Sequence, residues 1–127
     1  MKTGSIVVPL IFSLFLFSPS CSTVDLPDKG VAISSPKANG LVQGGTPCEI
    51  QWKTEDSISE FGAVVMIEFS KNGGKSWEEI EENVPNAGKY LWKVPNIDSA
   101  QCKIRVSSQR RPEYRGTSGI FAVKKGA

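Results

Sequence analysis

Histidine is absent from this sequence. That removes the commonest metal ligand and the commonest general base near neutral pH. Excess charge of either sign is also missing, with 15 Lys+Arg against 13 Asp+Glu. There is therefore no electrostatic case for nucleic acid or an acidic membrane surface as a partner. No apolar pattern of helical period runs for a useful length, and no internal repeat is present. Only one long apolar run occurs, near the N-terminus. Cysteine is scarce and odd in number: Cys21, Cys48 and Cys102.

The apolar run has the layout of an export signal. Lys2 supplies a basic start, "IVVPLIFSLFLF" (Ile6 to Phe17) is uncharged, and Ser18 and Ser20 bring small residues before Cys21. The run is short for a bilayer span, which needs about 20 apolar residues. Residues 1–20 are read as a signal peptide and 21–30 as a flexible tether, rich in polar residues with Pro27 and Gly30. Loss of Lys2 with the leader would leave 14 basic residues against 13 acidic ones. The place of Cys21 resembles the lipidated cysteine of bacterial lipoproteins. The usual lipobox has Leu three residues earlier and Ala or Gly just before the cysteine, where this chain has Ser18 and Ser20. Lipidation there would give a stable membrane anchor, since several acyl chains hold where one is marginal.

From Val31 onward, short alternating runs are separated by turn signals: "VAIS", the weak "LVQGG", "PCEIQWK", "AVVMIEFS", "SWEEIEE", "GKYLWKVP", "QCKIRVSS" and "GIFAVKK". Seven or eight strands at roughly 8–12-residue spacing predict an all-β sandwich over residues 31–125. Period-two alternation places Cys48 with Ile50 and Trp52, and Cys102 with Ile104 and Val106, on inward faces. An exported chain meets oxidising conditions, so a Cys48–Cys102 disulfide across the sandwich is expected, worth about 4 kcal/mol by loop closure. The alternative is two free thiols packed as small hydrophobes.

The stretch "SKNGGKSW" (Ser70 to Trp77) resembles the Asp-box of sialidase propeller blades, itself a structural turn. Ser70 offers a hydroxyl, Asn72 can bond its own backbone two residues on, Gly73 and Gly74 tolerate positive φ, and Trp77 can fold over the hairpin. None is a nucleophile or a useful proton donor, and one copy cannot make a propeller.

Carboxylates fall in loops (Glu55, Asp56, Glu60, Asp98, Glu113) or along strands and the hairpin arm (Glu49, Glu68, Glu78, Glu79, Glu81, Glu82). They read as solvated charges. The "EEIEE" cluster lacks the spacing of a calcium loop, so no metal and no cofactor are expected. The most suggestive surface stretch is "SSQRRPEYRG", in which Arg110, Arg111 and Arg115 bracket Tyr114 in the loop joining the last two strands. Trp52, Tyr90 and Trp92 read as core rather than as a sugar-stacking platform, because Trp52 shares parity with Cys48 and Ile50, and Tyr90, Trp92 and Val94 share a face with Leu91 on the other.

The order "ISSPKANGLVQGG", "CEIQW", "VMIEFSKNGGKSWEEI", "NVPNAGKYLWKVPN", "CKIRVSS", "GIFAV" resembles the module of the Ser-Thr-rich GPI-anchored membrane protein family. That module occurs in yeast cell-wall synthesis proteins, with bacterial counterparts in surface and secreted proteins. The resemblance spans Val31 to Val123. It implies an immunoglobulin- or fibronectin III-like sandwich, no catalytic residues and an association with the cell wall. The expected function is a non-catalytic exported adhesion or adaptor module that binds cell-wall polysaccharide or a surface protein. The rival readings are a small glycan hydrolase and a periplasmic protein-binding inhibitor. Intact mass of the protein taken from the membrane fraction should show acyl chains on an N-terminal Cys21. An unmodified, soluble product would contradict the anchor.

Overall fold

The computed structural model describes residues 27–55 and 61–126. The leader, Cys21 and the carboxylates Asp56 and Glu60 lie outside the described residues. Nine strands follow in chain order: β1 (Val31–Ser35), β2 (Leu41–Gln43), β3 (Pro47–Thr54), β4 (Val64–Ser70), β5 (Glu78–Pro85), β6 (Lys89–Lys93), β7 (Ser99–Ser108), β8 (Arg115–Thr117) and β9 (Phe121–Lys124). They form two sheets. One has the order β1-β3-β6; the other has the order β2-β9-β7-β4-β5, with β8 paired to β7. All pairings are antiparallel except β2 with β9. This is the strand order of an immunoglobulin/fibronectin III-like sandwich, in which the first strand divides between the sheets.

Alternation explains which residues meet. Ile50 and Trp52 on β3, with Trp92 on β6, face Val65, Ile67 and Phe69 on β4, Ile104 and Val106 on β7, and Phe121 on β9, all buried. Ile50, Ile67 and Ile104 have no accessible surface. Trp92 lies at the centre, 5.0 Å from the Phe69 ring and edge-on to Phe121 at 6.4 Å. Trp52 and Trp92 are therefore core residues, as their alternation predicts, and Tyr90 packs partly buried against them. Burying each such side chain stabilises the fold by about 1.5–3 kcal/mol.

Polar groups stitch the layers where strands end. The Trp52 indole N–H donates to Asn86 Oδ1 at 2.8 Å, while Asn86 N–H donates to Ala63 O at 2.9 Å, tying β3 to the segment that opens β4. Between β8 and β9, Ser118 takes over the ladder: its N–H donates to Ile104 O and its hydroxyl accepts from Ile104 N–H.

The segment before β1 is shorter as a tether than the sequence suggests. Lys29 and Arg115 exchange backbone hydrogen bonds at 2.7 and 2.9 Å, and the Asp28 carboxylate accepts from Thr117 N–H and Oγ1 at 3.0 Å. Residues 28–30 are thus pinned to β8. Strand β8 was not expected, because Arg115 and Gly116 lie within the stretch read as a loop. Gly116 makes the crossing possible: a methyl group there would land on the carbonyl of Val31. Gly116→Ala should destabilise the protein by about 1–3 kcal/mol, measured by urea denaturation. An unchanged midpoint would mean that β1 and β8 do not meet this closely.

Candidate functional site

The Ser70–Trp77 turn is built as a closed hydrogen-bond cluster. Ser70 is buried, and its hydroxyl donates to Asn72 Oδ1 at 2.8 Å while accepting from Gly74 N–H at 2.8 Å. Asn72 Oδ1 also accepts from Ser76 N–H at 3.0 Å, so its reach is four residues rather than the expected two. Gly73 and Gly74 have φ of 76° and 95°, as required where a side chain would strain the turn. Trp77 folds back onto the outer face of the sheet. The Arg105 guanidinium lies 4.1 Å from its ring centroid, and Arg105 Nε donates to Glu68 at 2.9 Å. Ser70, Asn72, Gly74 and Ser76 close the turn on itself, while Gly73, the Lys71 carbonyl and Trp77 hold it to β7.

The segment around Arg110 is largely occupied as well. Arg111 is paired with Glu113 at 2.7 Å. The Glu113 carboxyl is held below its ordinary range by its own backbone N–H and then by Arg111. Tyr114 packs against Phe61 at 6.3 Å, with Lys29 5.1 Å from its ring centroid and Arg111 at 5.9 Å. Ser108 Oγ donates to Phe61 O and accepts from Arg111 N–H. Arg115 is placed on β8, not in the loop, and its Nε is buried without a hydrogen-bond partner. Arg110 is exposed beside Gly62. Arg111, Tyr114 and Arg115 come together around Phe61 and Lys29, whereas Arg110 stands apart.

The two cysteines face inward from opposite sheets as their alternation predicts, yet the expected disulfide is not present: both are free thiols. Each sulfur turns to a backbone carbonyl of its own strand, Cys48 to Glu49 O at 3.9 Å and Cys102 to Ser99 O at 3.8 Å. Burial pushes both thiols above their ordinary pKa, helped at Cys48 by the charge of Glu49.

Most carboxylates have partners. Glu68 is held by Arg105, Glu113 by Arg111, Asp28 by Thr117 and Asp98 by Lys125 N–H. Glu49 accepts from the Gln51 amide. Strand β5 differs. It brings Glu78, Glu79, Glu81 and Glu82 to one edge, where, among the described residues, Lys71 is the one counter-ion, 4.0 Å from Glu78. Desolvation and then the like charges of Glu82, Glu68 and Glu81, with a hydrogen bond to Glu82, raise the pKa of Glu79. Among the described residues, no three His, Cys, Asp or Glu side chains gather as a metal set.

Beside that edge lies a cleft of about 310 Å³, at the open side of the sandwich between β5 and β6. Ile80, Phe69, Tyr90, Trp92 and Pro95 form its apolar walls, with Glu78, Glu79 and Lys93 at the rim. The Tyr90 hydroxyl reaches Glu81 Oε1 at 3.4 Å, and burial, then the Glu81 charge, raises its pKa. Reading the sequence residue by residue missed this cleft. Its walls come from three strands, and the only local signal was the parity shared by Tyr90 and Trp92.

A scan against protein-family models finds no match, and a search of curated proteins finds none. Among solved structures, the fibronectin(III)-like modules of Clostridium thermocellum CbhA align at 18% identity. The alignment covers 76% of this chain and 98% of that chain, with a TM-score of 0.45. The assignment of the sandwich rests on the strand order and pairing given above.

Without reductant, iodoacetamide in guanidine should label both Cys48 and Cys102, whereas labelling of the folded protein near neutral pH should be slow. Because burial raises the folded-state pKa of each thiol, the stability it contributes is present below the unfolded value and lost as pH climbs above about 8.5. Labelling that required prior reduction would contradict free thiols.

Proposed function

We propose that this chain is a non-catalytic, exported binding module of the cell envelope that holds its partner in the cleft between β5 and β6. The cleft carries the reading: Ile80, Tyr90, Phe69 and Trp92 continue the inward-facing core out to an open side, with charged groups at its mouth. Clefts that combine apolar walls with convergent polar groups are where ligands bind. The partner class is cell-wall carbohydrate or an envelope protein. Export through the N-terminal leader and anchorage through Cys21 would put the module where such partners are.

One observation favours a second reading, hydrolysis of glycans. Glu79 has a raised pKa at the rim of the cleft beside Glu78, and a glycosidase needs a protonated acid next to a second carboxylate. Strand geometry speaks against the pair, because consecutive residues point to opposite faces. Glu79 is opposite Glu68 in the ladder, on the outer side.

Binding of purified cell-wall polysaccharide and of envelope proteins to the exported chain separates these readings. Tyr90→Ala should weaken binding by about tenfold or more, the scale of a lost aromatic anchor, with the fold intact by circular dichroism. Arg110→Ala should have little effect. Loss of binding with Arg110→Ala but not with Tyr90→Ala would move the site to the Arg110 segment and favour a protein-binding inhibitor. Turnover of a glycan, abolished by Glu79→Gln, would establish the enzyme instead.

A further inference from the structure

Each sheet of a sandwich that does not close ends in edge strands, and each edge strand has a row of backbone N–H and C=O groups without ladder partners. Here the edges are β1 and β6 of one sheet and β2 and β5 of the other. Three of the four are short or guarded. Strand β2 has three residues; β1 has five, an irregular register and Pro36 next to it; β6 has five, with Lys89 and Lys93 at its two ends. Strand β5 is different. It is also irregular, with two register shifts against β4 and a φ of 58° at Asn83, but it has eight residues, no lysine, and no proline before Pro85.

The chemistry of this edge is specific. Four of its eight residues are glutamate, at 78, 79, 81 and 82. Like charges packed this closely repel, and after desolvation the charges of Glu82, Glu68 and Glu81 add to the raised pKa of Glu79. Arg105, the cation nearest this row in the ladder, is already taken up by Glu68 and Trp77. Ile80 turns the other way and lines the cleft with Tyr90 and Phe69. At about 310 Å³ the cleft is at the small end for ligand sites. It has room for one or two side chains.

We propose that β5 accepts an extended peptide from a partner protein as an additional strand. An apolar side chain of that peptide would seat in the β5–β6 cleft, and its alternate lysine or arginine side chains would meet Glu79 and Glu82 on the outer side. Backbone hydrogen bonds supply the affinity in this mode, and pockets for alternate side chains supply the choice of sequence. The acidic row has a second physical use, which is to keep edges of other copies apart by repulsion. A cationic strand converts that repulsion into attraction. Two β5 edges cannot pair this way, since glutamate would face glutamate. This inference rests on the reading that the cleft is the binding surface, and adds the class of occupant.

The test uses a short synthetic peptide of alternating lysine and valine. Its controls are a peptide of the same composition with the lysines in one block, and a glutamate–valine counterpart. Amide NMR shifts of the exported chain on titration should map to residues 78–84 and 90–93, with new protection from hydrogen exchange on β5. Affinity should fall with added salt. Glu79→Lys/Glu82→Lys, both exposed, should keep the fold and weaken binding by roughly tenfold or more. Equal binding of the block peptide would reduce the contact to charge alone and overturn strand addition. Shifts elsewhere, binding unaffected by the double variant, or no binding at millimolar peptide would also overturn it. So would self-association through β5 that excludes the peptide, because a second copy would then own the edge. If the peptide fails but Tyr90-dependent binding of polysaccharide or an envelope protein persists, only the strand-addition inference falls. If both fail, the cleft itself is not the site.

Discussion

Trp92 packs between Phe69 and Phe121, and through these three rings the two sheets hold each other in register. Around them, Ile50, Ile67 and Ile104 lose all contact with water. The constraint is alternation. Every second residue of β3, β4, β6 and β7 must be apolar and point inward, and a slip of one residue would reverse every strand at once. Because the core fixes the inner face of each layer, variation is possible on the outer faces and at the sides of the sandwich. The open side between β5 and β6 is one of these, and it has the Tyr90 ring as part of its wall.

The most conspicuous motifs in the chain are committed to holding that arrangement together. The Ser70 hydroxyl and the Asn72 amide close the turn after β4, and Trp77 fastens it to Arg105 on the outer face. Arg111, Glu113 and Tyr114 close the opposite corner over Phe61 and Lys29. A buried or paired polar group is expensive to remove and is poorly placed to meet a ligand. The groups left with unmet chemistry are plainer: a row of glutamates with one distant counter-ion, and the backbone of the edge strand that carries them.

The amphipathic strands were legible from the sequence because burial imposes a period of two on "CEIQW", "VVMIEFS" and "CKIRV". The inward parity of both cysteines was legible for the same reason, but not their bonding, since each sulfur turns to its own strand. Strand β8 was hidden. Three residues carry no period, and they become a strand through pairing with β7, with Lys29 bonding to Arg115 on the other side. Asn86 was missed in a turn-like "VPNAG", although it bridges Trp52 and Ala63, because nothing local reveals a partner more than thirty residues away. The carboxylates of β5 were read as solvated charge, and they are exposed. What the sequence could not display is that their strand ends a sheet, because edge position is a property of pairing order.

Amide hydrogen exchange followed by NMR tests the two-layer account most directly, since it reports packing and edge position residue by residue. The slowest amides should be those of Ile50, Ile67, Ile104 and Val106, while the amides of β5 that point away from β4 exchange quickly in the absence of a partner. Fast exchange at Ile50, Ile67 and Ile104, or uniform protection along β5 in the isolated protein, would contradict it.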